Sequence, residues 1–95
     1  MDLDEKIARG NEARAVLTNP VFIDSMDRLK KEIVEKWAAC PARDTEGREW
    51  LWQHYQVALK FEETLTEVLN TGKLALQERE LSMDEKTKKF VRRFA

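Results

Sequence analysis

Residues 45–70 read TEGREWLWQHYQVALKFEETLTEVLN, and this stretch decides the fold. Its apolar residues recur every three or four positions, which is the period of an amphipathic helix. With a turn of about 100° per residue they gather on one broad face, which we expect to pack against a second helix. The members of this face are Trp50, Leu51, His54, Val57, Ala58, Phe61, Leu65, Val68 and Leu69.

Two tryptophans near the start of this helix cannot both face one core. Trp50 and Trp52 are two positions apart and therefore point to nearly opposite sides of a helix. Trp52 falls beside Tyr55 and Leu59, away from the predicted core face. Either the first helix or the C-terminal segment covers this group, or the group forms a contact with another subunit or partner protein.

The segment before this helix predicts its packing partner. In residues 21–39, apolar side chains recur at intervals of four, three, four and four: Phe22, Met26, Leu29, Ile33 and Trp37. Asn19 is a suitable N-cap and Pro20 suits the first helical position. Cys40 precedes Pro41, which disfavours helix at that point. Residues 21–39 and 45–70 are therefore predicted to form a long antiparallel helical hairpin.

The rest of the chain is also predicted to be helical. Residues 2–17 form an N-terminal helix on which Leu3, Ile7, Gly10 and Leu17 share one stripe. Gly72 is expected to end the helix of residues 45–70, and residues 74–81 to form a short fourth helix. Ser82 and Glu85 match a capping box that would start a last helix through the basic tail, residues 86–95. The prediction is an all-α protein of one domain, residues 1–95.

Composition excludes several classes of protein. With three glycines and two prolines, the chain has little material for a turn-rich β fold. The apolar runs are far shorter than the roughly 20 residues that span a bilayer, so no membrane span is expected. The first residues, MDLDEKIARG, do not resemble a signal peptide, and a single cysteine excludes an internal disulfide framework. We therefore expect a protein of the cytoplasm.

The pattern of reactive side chains predicts no enzyme. His54 is the only histidine, lies on the predicted core face, and has no nucleophile or carboxylate at a catalytic spacing. Cys40 is placed at a helix C-terminus, where the helix dipole disfavours a thiolate. The chain has no zinc-ligand spacing and no glycine-rich phosphate loop. No catalytic residue, metal site or cofactor is predicted.

The charges are divided unevenly between the tail and the rest of the chain. Residues 86–95 contain five basic residues and no acid, which leaves the first 85 residues with a net charge of −6. Phe90 and Phe94 lie one helical turn apart among these bases. Three uses remain open for the tail: docking onto the helical bundle, anchoring a partner protein, or weak binding of nucleic acid or an anionic membrane. The predicted partner-binding residues are Trp52, Tyr55, Leu59, Lys86, Lys88, Lys89, Phe90, Arg92, Arg93 and Phe94.

Three segments carry a resemblance to a known group of proteins. ARGNEARAVLTNPVF (residues 8–22), EKWAACPARDTEGREWLW (35–52) and LNTGKLA (69–75) together resemble small helical proteins of tailed bacteriophages and prophages. The resemblance covers residues 8–76 and consists of a first helix with arginine and glycine, an Asn-Pro helix start, a Pro-Ala-Arg-Asp loop and a Gly-Lys-Leu-Ala ending. These features are helix caps and turns. The basic tail lies outside the resembling segments.

The resemblance implies a non-enzymatic phage accessory or structural protein. Such a protein would act through protein–protein contacts in virion assembly or DNA packaging, with self-association and head, portal or packaging components as expected partners. It would be found in the host cytoplasm or associated with the virion. Two alternatives remain: an inhibitor or sequestering protein directed at a host enzyme or defence factor, and a DNA-binding packaging factor that uses the basic tail.

Overall fold

The computed structural model describes residues 1–94 of the chain and the side chains of residues 1–83. Three α-helices account for nearly all of it: α1 (Leu3–Leu17), α2 (Pro20–Ala39) and α3 (Thr45–Phe94). Residues 1–94 contain no β-strand. The prediction of an all-α protein is therefore confirmed.

Each helix begins at a polar residue whose side chain accepts backbone hydrogen bonds. Asp2 Oδ1 accepts from Glu5 N at 2.8 Å, at the start of α1. Asn19 Oδ1 accepts from Val21 N at 2.9 Å, and Pro20 takes the first position of α2 as expected. Asp44 Oδ1 accepts from Gly47 N at 3.0 Å, at the start of α3. These bonds satisfy amide groups that have no partner inside the helix.

The end of the long helix was predicted wrongly. α3 does not stop at residue 70, and neither a helix of residues 74–81 nor a new start at Ser82 exists, because one helix of 50 residues runs from Thr45 to Phe94. Gly72 does not have the positive φ of a left-handed helix end. The sequence predicted that Gly72 would end the helix, but this glycine lies inside a helix that packs closely against a neighbour.

The molecule is long and narrow, with principal extents of 78 × 25 × 19 Å. α1 and α2 both pack on α3, and they scarcely contact each other. The contacts follow an order along the chain: Asp4 and Gly10 of α1 contact Arg79 and Gly72 of α3. Further on, α2 contacts α3 between residues 48 and 62. α3 therefore forms the spine on which the other two helices lie.

Two glycines determine how α1 meets this spine. A Cβ atom placed on Gly10 would lie 2.8 Å from Gly72 Cα, and one on Gly72 would lie 2.7 Å from Gly10 Cα. Backbone atoms cannot give way as a flexible side chain can, so the approach requires glycine on both helices. Ala13 and Ala75 are also buried, at 4% and 3% exposed. The α1–α3 contact is thus a close backbone approach between small residues.

The core between the helices is thin. The buried hydrophobic residues in the described part are Ala13, Met26, Leu51, Ala58 and Ala75, and none of the large side chains is fully buried. The predicted core face of α3 was too broad: Leu51 and Ala58 are buried, whereas Trp50, His54, Val57 and Phe61 are exposed. One adjacent helix covers only a narrow strip of α3, and the side of the strip that carries Trp50 stays open.

Candidate protein-interaction surface

The two neighbouring tryptophans of α3 lie on opposite sides of a buried leucine. Leu51 is 8% exposed, while Trp50 and Trp52 are 57% and 54% exposed. α1 lies further along α3, so it does not cover Trp52. In the described part of the chain, therefore, neither tryptophan belongs to the core. The role of Trp52 as a partner contact stays a prediction.

Trp52 joins a second tryptophan from α2 in a cluster that we call the Trp52 surface, formed by Trp37, Trp52, Tyr55 and Leu59. Trp52 and Trp37 line one shallow depression, and Trp37 is 43% exposed. Tyr55 is half-buried and Leu59 is 37% exposed. Trp37 was predicted as a core residue, and only the meeting of the two helices places it beside Trp52.

Arg48 holds together the joint next to this surface, which is formed by the end of α2 and the first turn of α3. Its Nη1 donates to the carbonyl oxygen of Cys40 at 3.0 Å, which satisfies an acceptor at the C-terminal end of α2. The centre of its guanidinium group lies 4.1 Å from the centroid of the Trp37 ring, a cation–π distance. The end of α2 and the first turn of α3 are therefore held together around Trp37. The sequence pattern predicted no role for Arg48, because its two partners are identified only by the folded loop.

The same joint contains the only cysteine. Cys40 Sγ lies 3.6 Å from Asp44 Oδ2. Desolvation, followed by the hydrogen bond to Asp44 and the negative charge of that carboxylate, raises the pKa of the Cys40 thiol above 9.0. A raised pKa keeps the thiol protonated at neutral pH, which lowers its nucleophilicity. The geometry is that of a structural cysteine next to a helix cap.

An ion pair ties α2 to α3 beyond the joint. Lys30 Nζ lies 3.0 Å from Glu62 Oε1, and both side chains are largely covered, with 25% and 30% exposed. The contact with Glu62 raises the pKa of Lys30 above 10.5, against the opposing effect of desolvation. This pair holds the two helices in register at a point where apolar packing is thin.

A second exposed group, which we call the Trp50 stripe, consists of Trp50, His54, Val57 and Phe61. These residues are spaced by four, three and four positions and so share one side of α3. His54 was predicted in the core but is exposed; its Nδ1 donates to the Trp50 carbonyl oxygen at 2.8 Å. The imidazole ring lies against the Trp50 ring, with centroids 3.7 Å apart and the ring planes tilted by 32°.

The predicted tail contacts lie outside the residues whose side chains the structure describes. They are Lys86, Lys88, Lys89, Phe90, Arg92 and Arg93, together with Phe94. In the part of the chain that was searched, no helix is both long and apolar enough to cross a membrane. Among those same residues, no three or more histidine, cysteine or acidic side chains come together as a metal site would require.

Comparison of the chain with protein-family models, with curated protein sequences and with solved structures found no match. The interpretation of both exposed surfaces therefore rests on the residues themselves.

Proposed function

We propose that the protein is a non-enzymatic accessory or structural protein of a tailed bacteriophage, which acts through protein–protein contacts in virion assembly or DNA packaging. The observation that carries the binding role is the Trp52 surface, where two tryptophans and a leucine from two helices remain in water. Exposed clusters of this kind mark interaction sites. The phage assignment is supported by the three resembling segments of sequence within residues 8–76.

The composition of the Trp52 surface favours a protein as its ligand. Trp37 and Trp52 supply large apolar area, and Arg48 and Glu49 stand at the edge of the same depression. An aromatic centre with a charged rim is the usual anatomy of a protein–protein interface, and tryptophan and arginine are the commonest residues at its energetic centre. The depression is open and shallow, whereas small-molecule sites are usually enclosed clefts.

The contact order along the chain supports an antiparallel hairpin as the platform for this surface. Phe22, near the start of α2, packs on Phe61 with ring centroids 6.2 Å apart. Trp37, near the end of α2, packs on Arg48. The start of α2 therefore contacts α3 near residue 61 and the end of α2 contacts it near residue 48, an order that supports antiparallel packing. We infer that this arrangement brings Trp37 and Trp52 to the same end of the molecule.

Co-sedimentation with phage particles tests the proposal. The full-length protein should sediment with proheads or virions from cells that produce the phage, and Trp52→Glu should reduce the particle-bound fraction about tenfold or more, as expected for loss of an interface centre. Gln77→Glu is the matched control, because it adds the same charge to an exposed position about 38 Å further along α3. The double variant Phe90→Ala, Phe94→Ala tests the tail as a second contact.

Other outcomes would contradict the proposal and identify an alternative. A protein that is absent from particles and instead binds a host enzyme or defence factor would be an inhibitor. DNA affinity that falls steeply with salt and disappears when residues 86–95 are deleted would identify a packaging factor.

A further inference from the structure

The Trp50 stripe is a separate apolar surface from the one used in the proposed function. Trp50, Val57 and Phe61 are 57%, 68% and 52% exposed. Phe61 also touches Phe22 of α2, so the apolar area extends across both helices. His54 adds a flat ring that lies against Trp50, and no position of the stripe is an acidic or basic residue other than this imidazole.

The molecule exposes more surface than a chain of its size needs to expose. Its accessible surface is 7829 Å², compared with about 5,700 Å² for a compact monomer of this mass. The difference exceeds the roughly 800 Å² that each partner contributes to a stable protein–protein interface. A contact on the stripe would bury part of this excess without any change in the fold.

The spacing of the stripe fits a second copy of the same stripe as its occupant. Intervals of four, three and four residues read the same in both directions, so a two-fold axis at the level of residues 55–56 maps the stripe onto itself. The axis would place Trp50 opposite Phe61 of a second copy, and His54 opposite Val57 of that copy. Two aromatic pairs would then close the two ends of the contact.

Charges beside the stripe agree with the same axis. Glu49 and Lys60 are eleven residues apart, about three helical turns, and therefore lie on one flank of α3. The two-fold axis brings Lys60 of one copy beside Glu49 of the other. Measured along the helix axis, the levels of these two residues differ by about 3 Å. Two such opposite-charge pairs would favour the antiparallel register over a parallel one.

We propose that two copies of the protein form an antiparallel, two-fold symmetric dimer in which the Trp50 stripe of one packs on the Trp50 stripe of the other. The Trp52 surface, on the other side of Leu51, remains outside the dimer contact. The dimer thus carries two Trp52 surfaces, one for each copy.

Solution mass by light scattering after size exclusion tests the dimer. The full chain should have twice its monomer mass of 11.2 kDa at a concentration of about 100 µM, well above a micromolar Kd. Val57→Glu should give a monomer with unchanged helix content, because this side chain is 68% exposed in the single chain. Gln56→Glu and Trp52→Glu should remain dimers, since both changes lie off the stripe.

A wild-type monomer at that concentration, or a dimer unaffected by Val57→Glu, would overturn the proposal. So would a dimer that dissociates on Trp52→Glu, since that result would assign the contact to the other surface. These outcomes are independent of particle binding by the Trp52 surface, so the failure of one proposal is distinguishable from the failure of the other.

A spin-label distance tests the register. Thr64→Cys in a Cys40→Ser background places one label on each copy, away from the axis. An antiparallel dimer should separate the two labels by about 26 Å along the helix axis, whereas a parallel one brings them to the same level. A short label distance would exclude the two-fold arrangement proposed here.

Discussion

The close approach of α1 to α3 depends on the absence of side chains at Gly10 and Gly72. In an isolated helix, glycine costs about 1 kcal/mol relative to alanine. Here both glycines are retained inside helices, since the two backbones approach to a distance that excludes a Cβ atom. The close approach brings α1 onto α3 and buries Ala13 and Ala75.

Gly10→Ala should therefore destabilise the protein, although it raises helix propensity. We expect the free energy of unfolding to fall by about 1–3 kcal/mol, the usual cost of overpacking. Urea unfolding followed by circular dichroism measures the change. Asn11→Ala, at an exposed position next in the same helix, should leave stability unchanged or raise it by up to about 0.7 kcal/mol. Equal stabilisation by both substitutions would show that α1 does not approach α3 in this way.

The continuity of α3 is the main feature of the helices that could not be predicted from the sequence. Capping and termination signals near residues 72 and 82 predicted breaks, and a helix of 50 residues runs through both. Local signals of this kind are worth about 1 kcal/mol each. Contacts between α1 and the segment around Gly72 outweigh them, because a break there would remove the surface on which α1 packs.

Amide hydrogen exchange tests this continuity. In a continuous α3, amides of residues 70–76 donate to carbonyl groups four residues earlier and should be protected, with no gap in protection near Gly72. The amides of residues 42–43, in the loop between α2 and α3, provide the unprotected reference in the same experiment. Fast exchange confined to residues 71–74 would instead indicate the helix end that the sequence predicted.

The shape of the whole molecule follows from a single long spine with shorter helices along it. The Cα radius of gyration is 21.7 Å, whereas a compact domain of 95 residues has about 12–13 Å. Such a shape buries little of each helix and leaves apolar side chains open on two sides of α3. Both proposed contacts are consequences of this one feature.

Small-angle X-ray scattering on the monomeric Val57→Glu variant should reproduce the elongated shape. We expect a radius of gyration close to 22 Å, the Cα value, and a maximum dimension near 78 Å. A value near 13 Å, typical of a compact domain, would mean that the C-terminal part of α3 folds back onto the rest. In that case the predicted short C-terminal helices would be correct.

The sequence alone determined what depends on neighbouring residues. Asn19 and Pro20 marked the start of α2, and Cys40 and Pro41 marked its end. These signals act between residues within one helical turn, so the local sequence is sufficient to predict them. The all-α class follows from the helical period of the apolar positions.

Only the tertiary structure decided which side of each helix is covered. Trp37 was expected in the core and lies on the Trp52 surface. Trp50, His54 and Val57 were expected to pack on α2 and are exposed. Periodicity shows that a helix has an apolar side, but the width of the neighbouring helix and its distance decide how much of that side is buried. Gly72 changed from a predicted helix end to a packing contact for the same reason: its neighbour, Gly10, is 62 positions away in the chain and in contact only after folding.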